Sequence, residues 1–310
     1  MHRKPVRAAA AAAVVVAGLL TAAGPVRAAP APDPEKLGRQ AEILTEQYNG
    51  KRLALKKARL AQRAAERQAR QAGADYETVR RKAGVLAASQ YMTPGAESEV
   101  SLFIGDEPQV ALDRSAASSY LAAQQVQQLR ELALTRMRYE RSAGAARERT
   151  AEIQKLTKDL AGKKARIEKL ISKIPASRAR TGGAPPRSSS ASGRAGTVVN
   201  AALSRVGTPY VYGAAGPNSF DCSGLMLWSY AKVGMNLPHY TGAQYNMGTR
   251  VSRGQVRPGD ILFFYPDLGH NGMYIGGNKM VHAPRSGKNV EVVDLAAYWW
   301  GQFTGATRLL

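Results

Sequence analysis

The chain has one cysteine, Cys222, and its position determines much of the chemistry open to the protein. Asp221-Cys222-Ser223-Gly224 precedes an apolar run that closes at Gly234, which predicts that Cys222 lies in the first turn of a helix. Free backbone N–H groups and the helix macrodipole stabilise a thiolate there and lower the thiol pKa. A lone cysteine can instead be buried and inert, but a place at a helix start favours a nucleophile.

A thiol nucleophile needs a base, and the candidates are few. The chain has four histidines. His2 lies in the leader described below, and His239 follows a proline in a loop. His270 and His282 flank an apparent β-hairpin. They could therefore supply a base and a polar group that orients it.

The geometry of that hairpin depends on the length of its turn. With a three-residue connection over 276–278, Ile275 pairs with Lys279 and Gly272 faces His282, so His270 and His282 project from one face. A two-residue connection would place the histidines on opposite faces. His282 could also be an ordinary core histidine. No metal or other cofactor is expected, because no His/Asp/Glu cluster has metal-ligand spacing along the chain.

Residues 1–28 have the pattern of a secretory signal peptide. Basic residues come first, an Ala/Val/Leu run follows, and small residues surround a cleavage site after Ala28. A membrane anchor is the alternative, but the run is shorter than a typical membrane span. The prediction is a secreted protein that acts outside the cell or in the cell wall. Most of the +21 net charge precedes residue 196. Outside the cell it favours anionic wall or lipid surfaces over nucleic acid, although a solvated arm would have the same composition.

Residues 29–175 are predicted to form an all-α arm. Mostly apolar residues recur at alternating steps of four and three from Leu37 to Gln90, and less regularly from Leu121 to Ile174. Such a repeat is typical of a coiled-coil seam. Two seams of equal length favour an antiparallel hairpin with arms roughly 80 Å long. A parallel intermolecular coil remains an alternative.

The hairpin tip, about 91–118, is predicted to contain one or two short helices. Its apolar residues pack on one another or dock to a partner, with Leu102, Phe103 and Ile104 as candidates for docking. Residues 176–195 lack periodicity and large apolar side chains, so they predict a flexible basic linker. Residues 196–310 then have the size of one small domain.

Several motifs in that last segment resemble one family. In order they are Gly207-Thr-Pro-Tyr210, Asp221-Cys-Ser-Gly224, Arg257-Pro-Gly-Asp260, Gly269-His270, Gly272-Met-Tyr-Ile-Gly276 and Met280-Val-His-Ala283. The segment resembles the NlpC-type peptidoglycan endopeptidases, which are secreted relatives of the papain superfamily. The arm is similar in architecture to coiled coils placed before such domains in actinobacterial cell-separation hydrolases.

The resemblance implies a papain-like α+β domain with an antiparallel sheet. It implies Cys222 as nucleophile, His270 as base and His282 as the residue that orients His270. It also implies that Tyr210 reaches the oxyanion or the substrate. Asp221 is expected to cap the helix or bind a cationic group of the substrate, with Ser223 assisting.

Peptidoglycan stem peptides are the implied substrate, cut between D-γ-glutamyl and a diamino acid. The implied role of the arm is to dock a membrane division complex or to cover the active site. A spacer that only sets the distance from the membrane is the alternative. Leu237-Pro238-His239-Tyr240-Thr241 departs from the family's Leu-Pro-Arg-Thr-Ser, and Asn271 replaces a small apolar residue. The alternatives are a coiled-coil adaptor with a degenerate hydrolase module, and a papain-like amidase or acyltransferase.

Overall fold

The computed structural model describes residues 33–91, 108–174 and 191–310. The leader at 1–28, the apolar tip residues Leu102, Phe103 and Ile104, and most of the linker lie outside these ranges, so the expectations for them stay predictions. No helix within the described ranges has the length and apolar character to cross a membrane.

The N-terminal half is an antiparallel pair of long helices, as predicted. Helix α1 spans Pro34–Tyr91 and helix α2 spans Pro108–Ile171. Lys51 pairs with Asp159 at 3.5 Å. Gln62 donates to Thr150 at 3.1 Å. From the first contact to the second, the residue number rises along α1 and falls along α2, which requires antiparallel packing. The two helices therefore pair within one chain.

The tip prediction is wrong for residues 108–118, which belong to α2 instead of separate short helices. Pro108 is the first residue of α2, a position where proline needs no N–H partner and its fixed φ suits the helix. No proline or glycine follows until Gly144, so nothing stops the helix near 118.

The hairpin is packed tightly only near its base. Leu55, Ala58 and Leu156 form a buried cluster between the helices. Farther out, Leu121, Leu129 and Val85 are exposed. The seam there is rich in Ala and Gln, whose side chains bury little apolar surface.

The C-terminal part is an α+β domain with an antiparallel sheet, again as predicted. Its sheet has the strand order β1-β6-β2-β3-β4-β5. The strands are β1 Thr249–Val251, β2 Ile261–Phe264, β3 His270–Gly276, β4 Lys279–His282, β5 Glu291–Asp294 and β6 Phe303–Arg308. The helices are α3 Gly193–Leu203, α4 Cys222–Ala231, α5 Thr241–Tyr245 and α6 Ala297–Gln302. Helix α3 thus begins inside the segment predicted as linker.

The α+β domain has a core of its own. One apolar cluster joins α3 and α4 to one face of the sheet, with Phe220, Leu225 and Phe263 fully buried. A second cluster lies around Phe264 and Met280. All of the residues in both clusters come from positions 198–309 and none from the hairpin. The apolar core therefore does not depend on the helical arm.

The β3–β4 hairpin differs from the prediction in its turn. Lys279 pairs with Gly276 and not with Ile275, so the connection has two residues. A β-bulge between Tyr274 and Gly276 then shifts the register, and Met273 pairs with Val281. The extra residue of the bulge compensates for the shorter turn, so the strands beyond the bulge pair in the predicted register. His270 and His282 consequently meet, as predicted, by a route the sequence did not reveal.

The uneven packing of the hairpin leads to a stability prediction. Leu156 is 9% exposed in the basal cluster, whereas Leu129 on the same helix is 63% exposed. We expect Leu156→Ala to cost about 2–5 kcal/mol. Leu129→Ala should stay within about 0.5 kcal/mol. Thermal loss of helicity, followed by circular dichroism, measures both variants. Equal shifts would contradict a hairpin packed mainly at its base.

Candidate active site

Cys222 is the first residue of α4, as the sequence predicts. Asp221 is the N-cap, and its Oδ1 accepts a hydrogen bond from the Gly224 N–H at 2.7 Å. A Cβ on Gly224 would lie 2.1 Å from the Ala214 carbonyl oxygen. The loop before α4 therefore packs against the helix start so closely that only glycine fits there. The cap and this contact together fix where the thiol lies.

The two histidines of the sheet lie next to each other beside the thiol. His270 Nε2 and His282 Nδ1 are 2.8 Å apart. One ring nitrogen of His270, Cys222 Sγ and a carboxylate oxygen of Glu42 all lie within 4.8 Å of one another. Burial and the neighbouring His270 hold the pKa of His282 well below its usual value. His282 is therefore neutral and can orient the His270 ring without adding charge.

Tyr210 is buried close to the thiol. Burial, followed by the charges of Cys222 and Asp221, raises the pKa of its phenol well above the usual value. Its hydroxyl is buried and has no hydrogen-bond partner among the described residues. A neutral hydroxyl in this position is available to donate to a group that enters the site.

Asp221 has further partners besides the helix cap. Its Oδ1 also lies 2.7 Å from His239 Nε2. Its Oδ2 accepts from the Gly213 N–H at 2.8 Å. Burial alone would lower the pKa of His239, but the hydrogen bond and charge of Asp221 and the charge of Glu46 raise it. The contact with Asp221 thus favours the protonated form of His239.

Helix α1 covers this site with a polar face. Glu42, Thr45, Glu46 and Asn49 recur at helical spacing and are all buried. Asn49 donates to Asp221 Oδ2 at 3.0 Å. These side chains leave Cys222 with 0% exposure. The arm therefore lies directly over the thiol.

Glu46 is the covering residue whose carboxyl group contacts the thiol. Its Oε1 accepts from Ser223 Oγ at 2.7 Å and from Cys222 Sγ at 3.4 Å. Its Oε2 accepts from the Thr241 N–H at 2.7 Å and from Thr241 Oγ1 at 2.9 Å. Burial, then the charge of Asp221, raises its pKa. Ser223 and Thr241 thus form a pocket that holds a carboxylate beside the thiol.

Glu42 covers the base. Its Oε1 contacts His270 Nδ1. Its Oε2 accepts from Arg39 at 3.0 Å. The arm thus contacts the candidate nucleophile and the candidate base at once.

Contacts around the rim fasten the same stretch of α1. Arg39 bonds Asp267 at 2.9 Å and lies 3.5 Å from the centre of the Tyr265 ring. Arg285 pairs with Glu35 at 3.3 Å. Gly38 lies so close that an added Cβ would meet the Arg285 side chain at 2.5 Å. Helix α1 therefore contacts the domain closely over several of its turns.

The expected lowering of the thiol pKa is wrong for this covered arrangement. Burial is the largest effect, and the carboxylates of Glu46, Asp221 and Glu42 add to it, so the pKa of Cys222 is raised well above its usual value. The helix N-terminus is present as predicted, but the surrounding carboxylates outweigh it. The thiol is held in its neutral, unreactive form.

Sequence reasoning missed Glu42, Glu46, Asn49, His239 and Thr241. The first three form a polar stripe at i, i+4 and i+7 beside the predicted seam, and such a stripe normally faces water. Their partners lie more than 170 positions away along the chain. His239 and Thr241 lie in the segment that departs from the family pattern, which was the one available signal.

Comparison with known proteins agrees with the family resemblance. Residues 207–308 match the NlpC/P60 family model. "Probable endopeptidase Rv2190c" of Mycobacterium tuberculosis is 46% identical over 98 residues, covering 32% of this chain and 26% of the relative. Peptidoglycan endopeptidase RipA of the same species is 40% identical over 112 residues, covering 32% of this chain and 24% of the relative. The match thus spans about a quarter of these relatives' length.

Solved structures were found among the similar proteins as well. The P60 domain of the M. avium subspecies paratuberculosis antigen MAP1204 is 32% identical, covers 37% of this chain and 93% of that chain, and has a TM-score of 0.34. The match to the family model includes Cys222, His270 and His282. Residues 207–308 therefore form an NlpC/P60 family domain, which this chain carries behind a long helical hairpin.

Proposed function

We propose that the protein is a secreted peptidoglycan endopeptidase that acts in the cell wall. In this proposal it cleaves stem peptides between D-γ-glutamyl and a diamino acid. The observation that supports it best is the alignment of one thiol and two histidines at the start of a helix and on the facing sheet. One relative of the domain is named probable endopeptidase, and RipA is named peptidoglycan endopeptidase.

The geometry suggests the following division of labour. Cys222 Sγ loses its proton to His270 Nδ1 and attacks the scissile carbonyl, forming a thioester as the amine leaves with that proton. Water, deprotonated by His270, then hydrolyses the thioester. His282 holds His270 Nε2 in place. Backbone N–H groups at the start of α4 and the Tyr210 hydroxyl are positioned to stabilise the oxyanion.

The pocket that holds Glu46 supports the choice of bond. Ser223 and Thr241 offer three donors to a carboxylate beside the thiol. A γ-linked D-glutamyl residue carries a free α-carboxylate on its Cα, and the scissile γ-carbonyl ends its side chain. Such a substrate can place this carboxylate in the pocket and its carbonyl at Cys222. In the covered state, the Glu46 carboxyl group occupies the place that this proposal assigns to the substrate carboxylate.

The proposal includes a latent state in which the arm covers the active site. Burial of Cys222, the Glu46 contacts and the Glu42 contact all favour covering over a simple spacer. Release of α1 would remove the side chains of Glu42, Glu46 and Asn49 from the site together. In the same proposal, a membrane division complex docks to the tip of the arm and thereby releases α1.

Cys222→Ala should abolish hydrolysis without unfolding the domain, because a small side chain is tolerated at a helix start. Digestion of purified peptidoglycan, followed by mass spectrometry of the fragments, measures both the loss and the bond. The same experiment with unmodified residues 191–310 should yield new γ-D-glutamyl carboxyl termini. Fragments cut elsewhere would contradict the proposed bond, and an active alanine variant would contradict the mechanism.

His270→Ala should lower turnover much more than His282→Ala. Loss of the base commonly costs about 10²–10⁴-fold. Loss of His282 leaves the proton acceptor in place and removes only its support. Turnover of a soluble stem-peptide substrate by residues 191–310 gives both numbers, and circular dichroism checks folding. Equal losses in two folded variants would show that these roles are wrongly assigned.

Glu46→Ala in residues 29–310 should increase both hydrolysis of soluble fragments and alkylation of Cys222. A hydrogen bond to a charged group contributes about 1.5–3 kcal/mol, so the loss should favour the open arrangement by at least about tenfold. Residues 191–310 alone should be faster still. Glu148→Gln, at an exposed glutamate of α2, is the control and should change neither rate. Equal rates for the full chain and the isolated domain would exclude covering.

A further inference from the structure

The covered site contains a set of metal-ligand side chains that no stretch of sequence shows. Glu42, Cys222 and His270 each direct one ligand atom into the same buried space, and these atoms lie within 4.8 Å of one another. Within the described ranges, no other group of three such residues has this arrangement. One ligand comes from the arm and two come from the peptidase domain.

All three side chains are removed from solvent. Glu42 is 5% exposed, His270 is 1% exposed and Cys222 is fully buried. Glu42 Oε1 and His270 Nδ1 face each other and have no further hydrogen-bond partner among the described residues. Both atoms carry lone pairs suited to a metal ion, and neither would lose another bond on binding one.

Two of the ligands also have outer partners of the kind found around metal sites. Arg39 holds the far oxygen of Glu42 at 3.0 Å. His282 holds the far nitrogen of His270 at 2.8 Å. A metal-bound histidine commonly has its other ring nitrogen fixed in this way, which selects the tautomer and orients the ring. Both ligands are thus oriented before any ion arrives.

The geometry points to a zinc site that locks the arm over the active site. Thiolate, imidazole and carboxylate are the ligands that Zn²⁺ takes, at about 2.0–2.3 Å in tetrahedral geometry. Such distances put ligand atoms roughly 3–4 Å apart, which needs only a small outward rotation of Glu42 from His270. Glu46 Oε1, 3.4 Å from the thiol sulfur, is the nearest oxygen for the fourth position.

Binding changes the protonation of the ligands but breaks no covalent bond in the chain. Zn²⁺ replaces the thiol proton of Cys222 and any proton shared by Glu42 and His270, and these protons go to solvent. The hydrogen bond from Cys222 to Glu46 is lost and a metal–oxygen contact takes its place. A site shared by the arm and the domain then stabilises the covered arrangement by mass action.

The test measures metal binding to residues 29–310, with no hydrolysis assay. Co²⁺ should bind one per chain and give a thiolate-to-cobalt charge-transfer absorption that Cys222→Ala abolishes. Competition with a chromophoric chelator gives the Zn²⁺ affinity. Glu42→Gln should weaken it by at least about tenfold, since outer partners alone commonly contribute 10–100-fold. Glu148→Gln makes the same charge change at an exposed position and should leave the affinity unchanged.

Two results would overturn the inference. One is the absence of Zn²⁺ binding by the folded wild-type chain. The other is an unchanged affinity in Glu42→Gln, which would mean that Cys222 and His270 bind the ion without the arm. If Glu42→Gln fails to fold, Glu42→Asp keeps the carboxylate on a shorter side chain and should show an intermediate loss. The proposal extends the covered active site, but binding is read independently of peptidase activity, so each can fail alone.

Discussion

The covered arrangement of the active site depends on one constraint, the burial of carboxyl groups from helix α1 against a thiol. Glu46 and Glu42 bring carboxyl groups into a space that excludes water, and this is favourable only because donors from Ser223, Thr241 and Arg39 meet their oxygens. The same donors cannot be satisfied by an apolar cover. The contact between arm and domain is therefore specific. Displacement of α1 exposes polar groups of the arm and of the domain at once.

This constraint also explains the protonation state of the site. A helix N-terminus normally favours a thiolate, but burial and carboxylates raise the pKa of Cys222. Glu46 likewise has a raised pKa. A group whose pKa is raised by closure stabilises the closed form below its ordinary pKa and loses that contribution as pH rises through the raised value. Both groups thus favour covering in acid and release in base.

Much of the fold could be predicted because it depends on local patterns. The seven-residue repeat indicated the hairpin, and the Asp221-Cys222 pair next to an apolar run indicated the helix start. The approach of His270 and His282 was anticipated, although the bulge beside Ile275 was not, because no single residue signals it. Glu42 and Glu46 could not be assigned, since an acidic residue on a helix usually faces water. Their role exists only through contacts with residues distant in sequence.

Helix α1 is continuous from the covered site to the far end of the arm. From Glu46 to Tyr91 it extends for about 70 Å at 1.5 Å per residue. A helix of this length, braced by α2, transmits rotation and tension along its axis. A modest mechanical load at the distal end would therefore act on the Glu46 contacts through a long lever. Opening by such a load would need no ligand near the thiol.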